Sequence, residues 1–253
     1  MQCLTPDLEG RRRGNGQVER INPGGVPQGI LSLHKVRYEF AKKYCAGKSV
    51  LDVACGAGYG SALLAEVAAS VIGADIDEET VNYARSSYRR DNLAYRVEDA
   101  QALSFESASF DSVVSFETIE HLSDIPRYLN EVQRVLKLGG MYVVSTPKVR
   151  RTTKKPKNPH HTVEYSAEDF RALLREYFHV VELHGQVRVQ GRVHYWLQKL
   201  DVVGLRHYIP SELRWTIDRK LGTAPFEEME LADQKIVRED LKRAHDMIAV
   251  CTW

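Results

Sequence analysis

In the stretch VLDVACGAGYGS an acid, Asp52, closes an apolar run, and glycines follow at positions 56, 58 and 60. Glycines at this spacing let a backbone approach a ligand where side chains would intrude. A dinucleotide loop has the spacing GxGxxG and sets its pyrophosphate on a helix N-terminus. Here Ala54 takes the first position, and Asp52 at the strand end would repel a phosphate. The acid suits a cation instead, an ammonium or a sulfonium. A second acid, Asp75 in VIGADID, stands where a carboxylate accepts from both hydroxyls of a ribose. Its alternative role is to cap the helix beginning at Glu78, for which Asp77 is better placed.

Histidines supply candidate bases, because imidazole titrates near neutral pH. His121 lies in FETIEHL, and His161 is followed by Glu164 in NPHHTVEY. Glu164 would orient the His161 ring or bind a hydroxyl; bracing of a loop is the alternative for both histidines. HHTVE also carries metal-ligand types, but two histidines and an acid in a loop are weak grounds for a site, and no metal is expected. The run KVRRTTKKPK, 148–157, holds six cations and no acid. It reads either as a solvated loop or as a holder for an anionic group such as a diphosphate.

The elements that must position these residues alternate. SLHKVRYEFAKKYC has helical spacing, with Leu33, Val36, Phe40 and Tyr44 on one face. SVLDVAC, SVIGADID, LAYRVED, SFDSVVSFE and MYVVSTP read as five strands. SALLAEVAA, EETVNYARSSYRR and DIPRYLNEVQRVLKLGG read as helices, the last closed by Gly139 and Gly140. Strands apolar on both faces indicate a doubly wound parallel α/β sheet, with its ligand at the carboxyl ends of the strands. SAEDFRALLREYF is a further helix with a capping-box layout at Ser166 and Asp169. HVVELHGQVRV and DMIAVCTW are further strands, separated by an insertion over 191–240 that includes Trp196, Tyr208, Pro210, Trp215 and a charged helix from about Met229. Residues 1–31 read as a flexible arm and 32–253 as one domain, with 191–240 capping the crevice.

Formal net charge is +1 and 43% of the 253 residues are hydrophobic. The charge gives no general argument for nucleic acid or membrane. Four scattered cysteines form no CxxC pair and read as thiols in a reducing compartment. With no signal-like N-terminus and no apolar run of membrane-spanning length, the expectation is a cytoplasmic protein.

VLDVACGAGYGS, VIGADIDEETVNYAR, YRVEDAQALSFESASFDSVVSFETIEHL and EVQRVLKLGGMYVVSTP, in this order across 48–147, resemble the class I S-adenosylmethionine (SAM)-dependent methyltransferases. The resemblance implies a Rossmann-like, seven-stranded, mostly parallel sheet with helices on both faces, a helical insertion before the last strand, and SAM as cofactor. It implies that Asp75 holds the ribose, Asp99 the adenine amino group, the Ala100 N–H a ring nitrogen, and Ile76 the adenine face. Ala54, Gly56 and Gly58 would approach the methionine part, with Asp52 opposing its ammonium. Phe116 or Glu117 would lie beneath the sulfonium, with Glu117 alternatively facing the substrate. His34, Arg37 and Tyr38 would close over the cofactor, Arg37 pairing with its carboxylate or lying on the surface.

HKVRYEFA and NPHHTVEYSAEDFRALLREYF are similar to a subgroup associated with bacterial polysaccharide, lipopolysaccharide and antibiotic-sugar biosynthesis, with His160 departing from the usual aromatic. The implied acceptor is a sugar hydroxyl of a glycan or nucleotide sugar, with His121 as first candidate for the base and His161 with Glu164 as second. The alternatives are an amino sugar, a phenolic or quinone-like acceptor, RNA, and a SAM-binding protein without turnover.

Overall fold

The computed structural model describes residues 28–188, 231–238 and 241–253. Helix α1 (Gln28–Cys45) leads into strand β1 (Ser49–Val53), α2 (Tyr59–Leu64), β2 (Ser70–Asp75), α3 (Glu78–Ser87), β3 (Leu93–Val97) and β4 (Phe110–Phe116). Then follow α4 (Ile125–Val135), β5 (Leu136–Pro147), α5 (Ala167–Arg175), β6 (Val180–Arg188), β7 (Gln234–Arg238) and β8 (Asp246–Thr252). They form one eight-stranded sheet in the order β3-β2-β1-β4-β5-β8-β6-β7. β3, β2, β1, β4 and β5 are mutually parallel, whereas β8 is antiparallel to both β5 and β6.

Alternation along each strand divides the core into two layers. Leu51, Val113, Tyr142 and Val144 face one side with Leu129 and Val132 of α4 and Phe170 and Leu174 of α5. Val50, Val114 and Val143 face the other with Tyr38 and Ala41 of α1 and Leu64 of α2. Asp77 caps α3, accepting from the backbone N–H of Thr80 at 2.9 Å, so Asp75 is left for another task. Ser166 caps α5 through the Asp169 N–H at 3.2 Å.

Three expectations need correction. The helix expected to run to Gly139 and Gly140 ends at Val135, and Leu136 already pairs with Phe110. The glycines serve an irregularity inside β5: Gly139 has φ +76°, and a Cβ on Gly140 would fall 2.7 Å from the Lys137 carbonyl oxygen. The sheet has eight strands instead of seven. The extra strand, β7, occupies part of the charged segment read as a helix from Met229, and it pairs antiparallel with β6. Finally, α1 starts at Gln28, four residues before the expected Ser32. The arm up to residue 27 and most of the insertion, including Trp196, Tyr208, Pro210 and Trp215, lie outside the described residues.

Candidate active site

The sheet order reverses direction between β1 and β4, and a cavity of about 490 Å³ opens at the carboxyl ends of β2, β1 and β4. That is the position at which doubly wound sheets bind ligands. His34 and Tyr38 of α1 complete the wall.

The loop after β1 turns through three left-handed residues, Ala54 (φ 57°), Gly56 (φ 52°) and Gly58 (φ 85°). Their surroundings differ. A Cβ on Gly56 would meet nothing within 4 Å, and Gly56 lines the cavity. A Cβ on Gly58 would fall 2.6 Å from that of Ala84, and one on Gly60 would fall 1.9 Å from the Tyr38 ring. Gly58 and Gly60 are therefore small for internal packing, and Gly56 alone of the three presents bare backbone to a ligand.

Asp75 is 7% exposed. Its Oδ2 accepts the Gly56 N–H at 2.9 Å and its Oδ1 the Asp77 N–H at 3.0 Å, tying the loop to the end of β2. Beside it Ile76, 66% exposed, offers an apolar face to the cavity. Asp99 and Ala100 line the same end, and Asp99 accepts from the Gln101 N–H at 2.8 Å. Asp52 is fully buried beneath the loop and is not part of the wall. It accepts from the Ser61 hydroxyl at 2.6 Å and the Tyr38 hydroxyl at 3.4 Å. Burial pushes its carboxyl up to about 7 against those two hydrogen bonds. Its expected place opposite an ammonium is taken by these internal partners.

At the end of β4, Phe116 and Glu117 line the cavity, and Glu117 adopts φ 53°. Its Oε1 accepts from the Ser145 hydroxyl at 2.7 Å and lies 3.1 Å from Nη1 of Arg37, an ionic contact without hydrogen-bond alignment. Arg37, expected at a cofactor carboxylate, is 2% exposed and absent from the cavity wall. Its guanidinium is engaged by Glu117, Asp246 and the Gln186 side chain. His34 lines the cavity in the neutral form, because burial, and then Arg37, lower its pKa to about 3. Tyr38 sets its ring edge-on to Phe116 at 4.9 Å.

Beyond β4 a short 3-10 turn, Ile119–His121, brings His121 to the rim. Its Nδ1 lies 3.0 Å from the His160 carbonyl oxygen. A carbonyl only accepts, so Nδ1 carries the hydrogen and Nε2 is the basic nitrogen of the neutral ring. His161 and Glu164 stand behind the wall. The His161 ring packs edge-on against His121 at 4.9 Å, donates from Nδ1 to Glu164 at 2.9 Å, and accepts from the Asn158 amide at 3.0 Å. Glu120, fully buried, places a carboxylate oxygen within 4.8 Å of one nitrogen of each histidine. Glu120, His121 and His161 are the one group of this kind among the described residues, a donor set suited to a cation, though here His161 spends both nitrogens on Glu164 and Asn158.

Sequence reasoning missed Glu98, Gln101 and His160 as wall residues, and the buried Glu120. Glu98 and Gln101 flank Asp99 and could have been found by adjacency. The charged residues of the wall are all acids, namely Asp75, Glu98, Asp99 and Glu117; among the described residues no lysine or arginine lines it. Such a wall repels phosphates and favours a cationic ligand.

Residues 51–144 match the methyltransferase-domain family Methyltransf_11. Across 229 residues, 88% of this chain and 84% of the relative, the sequence is 38% identical to a probable S-adenosylmethionine-dependent methyltransferase of Mycolicibacterium smegmatis. The chain belongs to the SAM-dependent methyltransferases. A ubiquinone biosynthesis O-methyltransferase of Coxiella burnetii is 27% identical over 79% of this chain and 86% of its own. A Thermotoga maritima structure titled SAM-dependent methyltransferase, possible histamine N-methyltransferase, shares the fold at TM-score 0.58 and 14% identity, covering 88% of this chain and 92% of that one.

The cavity of this methyltransferase fits SAM. The open backbone at Gly56, the carboxylate of Asp75 and the exposed face of Ile76 are what a cationic, ribose-bearing cofactor requires. No helix among the described residues is long and apolar enough to cross a membrane.

Proposed function

We propose that this methyltransferase acts on a hydroxyl of a sugar-bearing small molecule, with His121 as the general base. The observation that carries the reading is the His121–His160 contact, which leaves Nε2 as the basic nitrogen of a ring on the cavity wall. Asp75 would hold the ribose, Asp99 and Ala100 the adenine edge, and Ile76 its face. SAM supplies an activated methyl group, so the protein has chiefly to align the acceptor and take its proton. His161, fixed by Glu164 and Asn158, buttresses the His121 ring and is a positioning residue.

The acid-lined wall leaves no place inside for an anionic part of the acceptor. The basic loop offers one outside. Thr153 exchanges backbone hydrogen bonds with Glu164 at 2.9 and 3.0 Å, which pins the loop beside the histidine pair with Lys154 and Lys155 exposed. A sugar carrying a nucleotide or lipid diphosphate matches this division of charge.

A phenolic acceptor is the second reading, favoured by the ubiquinone-pathway name of the Coxiella relative. Turnover of nucleotide sugars and of catechols by wild type and His121→Ala tests both. The expected result is methylation of a nucleotide sugar, with kcat lowered about 10²–10⁴-fold in the variant and S-adenosylhomocysteine affinity unchanged. Turnover of catechol alone selects the second reading, and a fully active variant removes His121 as base.

A further inference from the structure

The two consecutive histidines of the NPHH turn are used in opposite ways. His161 is turned inward, its side chain 8% exposed, with Nδ1 spent on Glu164 and Nε2 on Asn158. His160 is half-buried and lines the cavity, and its ring has no hydrogen bond, ion pair or ring contact among the described residues. Its backbone, by contrast, is held on both sides. The His160 N–H donates to Oδ1 of Asn158 at 3.0 Å, the side-chain-to-backbone turn that asparagine favours. The His160 carbonyl accepts from Nδ1 of His121 at 3.0 Å. Pro159, its φ fixed by the pyrrolidine ring, leads into the turn. A firmly held backbone thus presents a ring that is spent on nothing inside the protein.

That ring differs in chemistry from the acids around it. Asp75, Glu98, Asp99 and Glu117 can only accept hydrogen bonds when ionised. The hydroxyl of Thr118, also on the wall, is spent on the Phe116 carbonyl at 3.2 Å. An uncharged imidazole offers one donor and one acceptor, so it pairs with a hydroxyl in either sense. Next to His160 on the wall stands His121, and the 3.0 Å contact joins the two residues. Groups that engage both rings are therefore near neighbours on one bound molecule.

We propose that His160 is an acceptor-binding residue: its ring hydrogen-bonds a hydroxyl adjacent to the one that is methylated, so the preferred acceptors carry two neighbouring hydroxyls. The proton of the reacting hydroxyl still passes to His121, and His160 takes none. The inference rests on the reading of His121 as the base. It holds for either acceptor class considered above, because sugars and catechols both present such a pair.

Matched acceptors test it: UDP-glucose against its 2-, 3- and 4-deoxy analogues, and catechol against phenol, with wild type, His160→Phe and His160→Gln. Wild type is expected to favour the parent over the analogue lacking the neighbouring hydroxyl by about ten-fold or more in kcat/KM, because the analogue leaves the ring without its partner. His160→Phe keeps a ring and removes both nitrogens, and it should bring that ratio within about three-fold. Its affinity for S-adenosylhomocysteine, read by calorimetry, should move less than about three-fold. His160→Gln restores a donor and an acceptor and should recover most of the preference; it also serves if the phenylalanine variant fails to fold. Equal turnover of parent and analogue by wild type, or a ratio unchanged in His160→Phe, overturns the proposal and leaves the hydroxyl acceptor standing. S-adenosylhomocysteine weakened as much as the parent acceptor overturns it too, assigning the ring to the cofactor. Turnover of neither pair overturns it together with the acceptor reading. Which class is methylated decides between sugar and phenol; the ratio within that class decides the role of His160.

Discussion

The ring of Tyr38 occupies the space in which a side chain on Gly60 would begin: a Cβ there would lie 1.9 Å from the ring's Cζ. Tyr38 belongs to α1 and Gly60 to α2, so this contact sets how closely the helix that walls the cavity docks on the helix leaving the glycine loop. Its neighbour Gly56 has open space on the same side of its backbone. Two glycines four residues apart, one in the loop and one in the helix that follows it, are thus glycine for opposite reasons.

Gly60→Ala and Gly56→Ala should separate those reasons. The first overpacks a filled core, which costs about 1–3 kcal/mol, and chemical denaturation should report the loss. The second adds strain at a φ of 52°, about 1–2 kcal/mol, with no clash inside the protein. Its larger effect should be on S-adenosylhomocysteine, with affinity down about ten-fold or more.

Asp52 gives a pH signature. Its folded pKa, about 7, stands above the usual carboxylate range because the group is buried. Between the unfolded and folded values the native state holds the proton that the unfolded chain has released, so stability falls as pH rises from about 4 to 7. Asp52→Asn removes that dependence. Denaturation midpoints measured across this interval should decline less steeply in the variant, and parallel profiles would show that Asp52 titrates normally.

Lys154→Ala with Lys155→Ala removes charge from the exposed basic loop, which Thr153 pins beside Glu164. The expected outcome is a several-fold higher KM for an anionic nucleotide-sugar acceptor, steepest at low salt, with S-adenosylhomocysteine affinity unchanged. Acceptor kinetics equal to wild type would reduce the loop to a solvated surface.

Much of this site was legible because strand ends are written in local sequence. VLDVAC, VIGADID and SFDSVVSFE each end at the crevice, so local sequence places Asp75 there, and the family resemblance adds Ile76 and Glu117, which also line the cavity. Arg37 and Asp52 did not follow. Arg37 meets Gln186 and Asp246, 149 and 209 residues away, and no local pattern announces such partners. Asp52 sits on a strand where alternation decides its side, and the strand turns it toward Ser61 and Tyr38 in the interior. Gly139 and Gly140 misled because a glycine pair that can end a helix can equally release a kinked strand. β7 was hidden in QKIVR, a stretch too charged to read as a strand until β6 supplies the pairing.

The most direct test is isothermal titration calorimetry of wild type and Asp75→Ala with S-adenosylhomocysteine, and with NAD as control. Micromolar binding of S-adenosylhomocysteine to wild type is expected, with a loss of about ten-fold or more in the variant and no heat from NAD. Unchanged affinity in Asp75→Ala, or binding of NAD in preference, would contradict the assignment of this cavity to SAM.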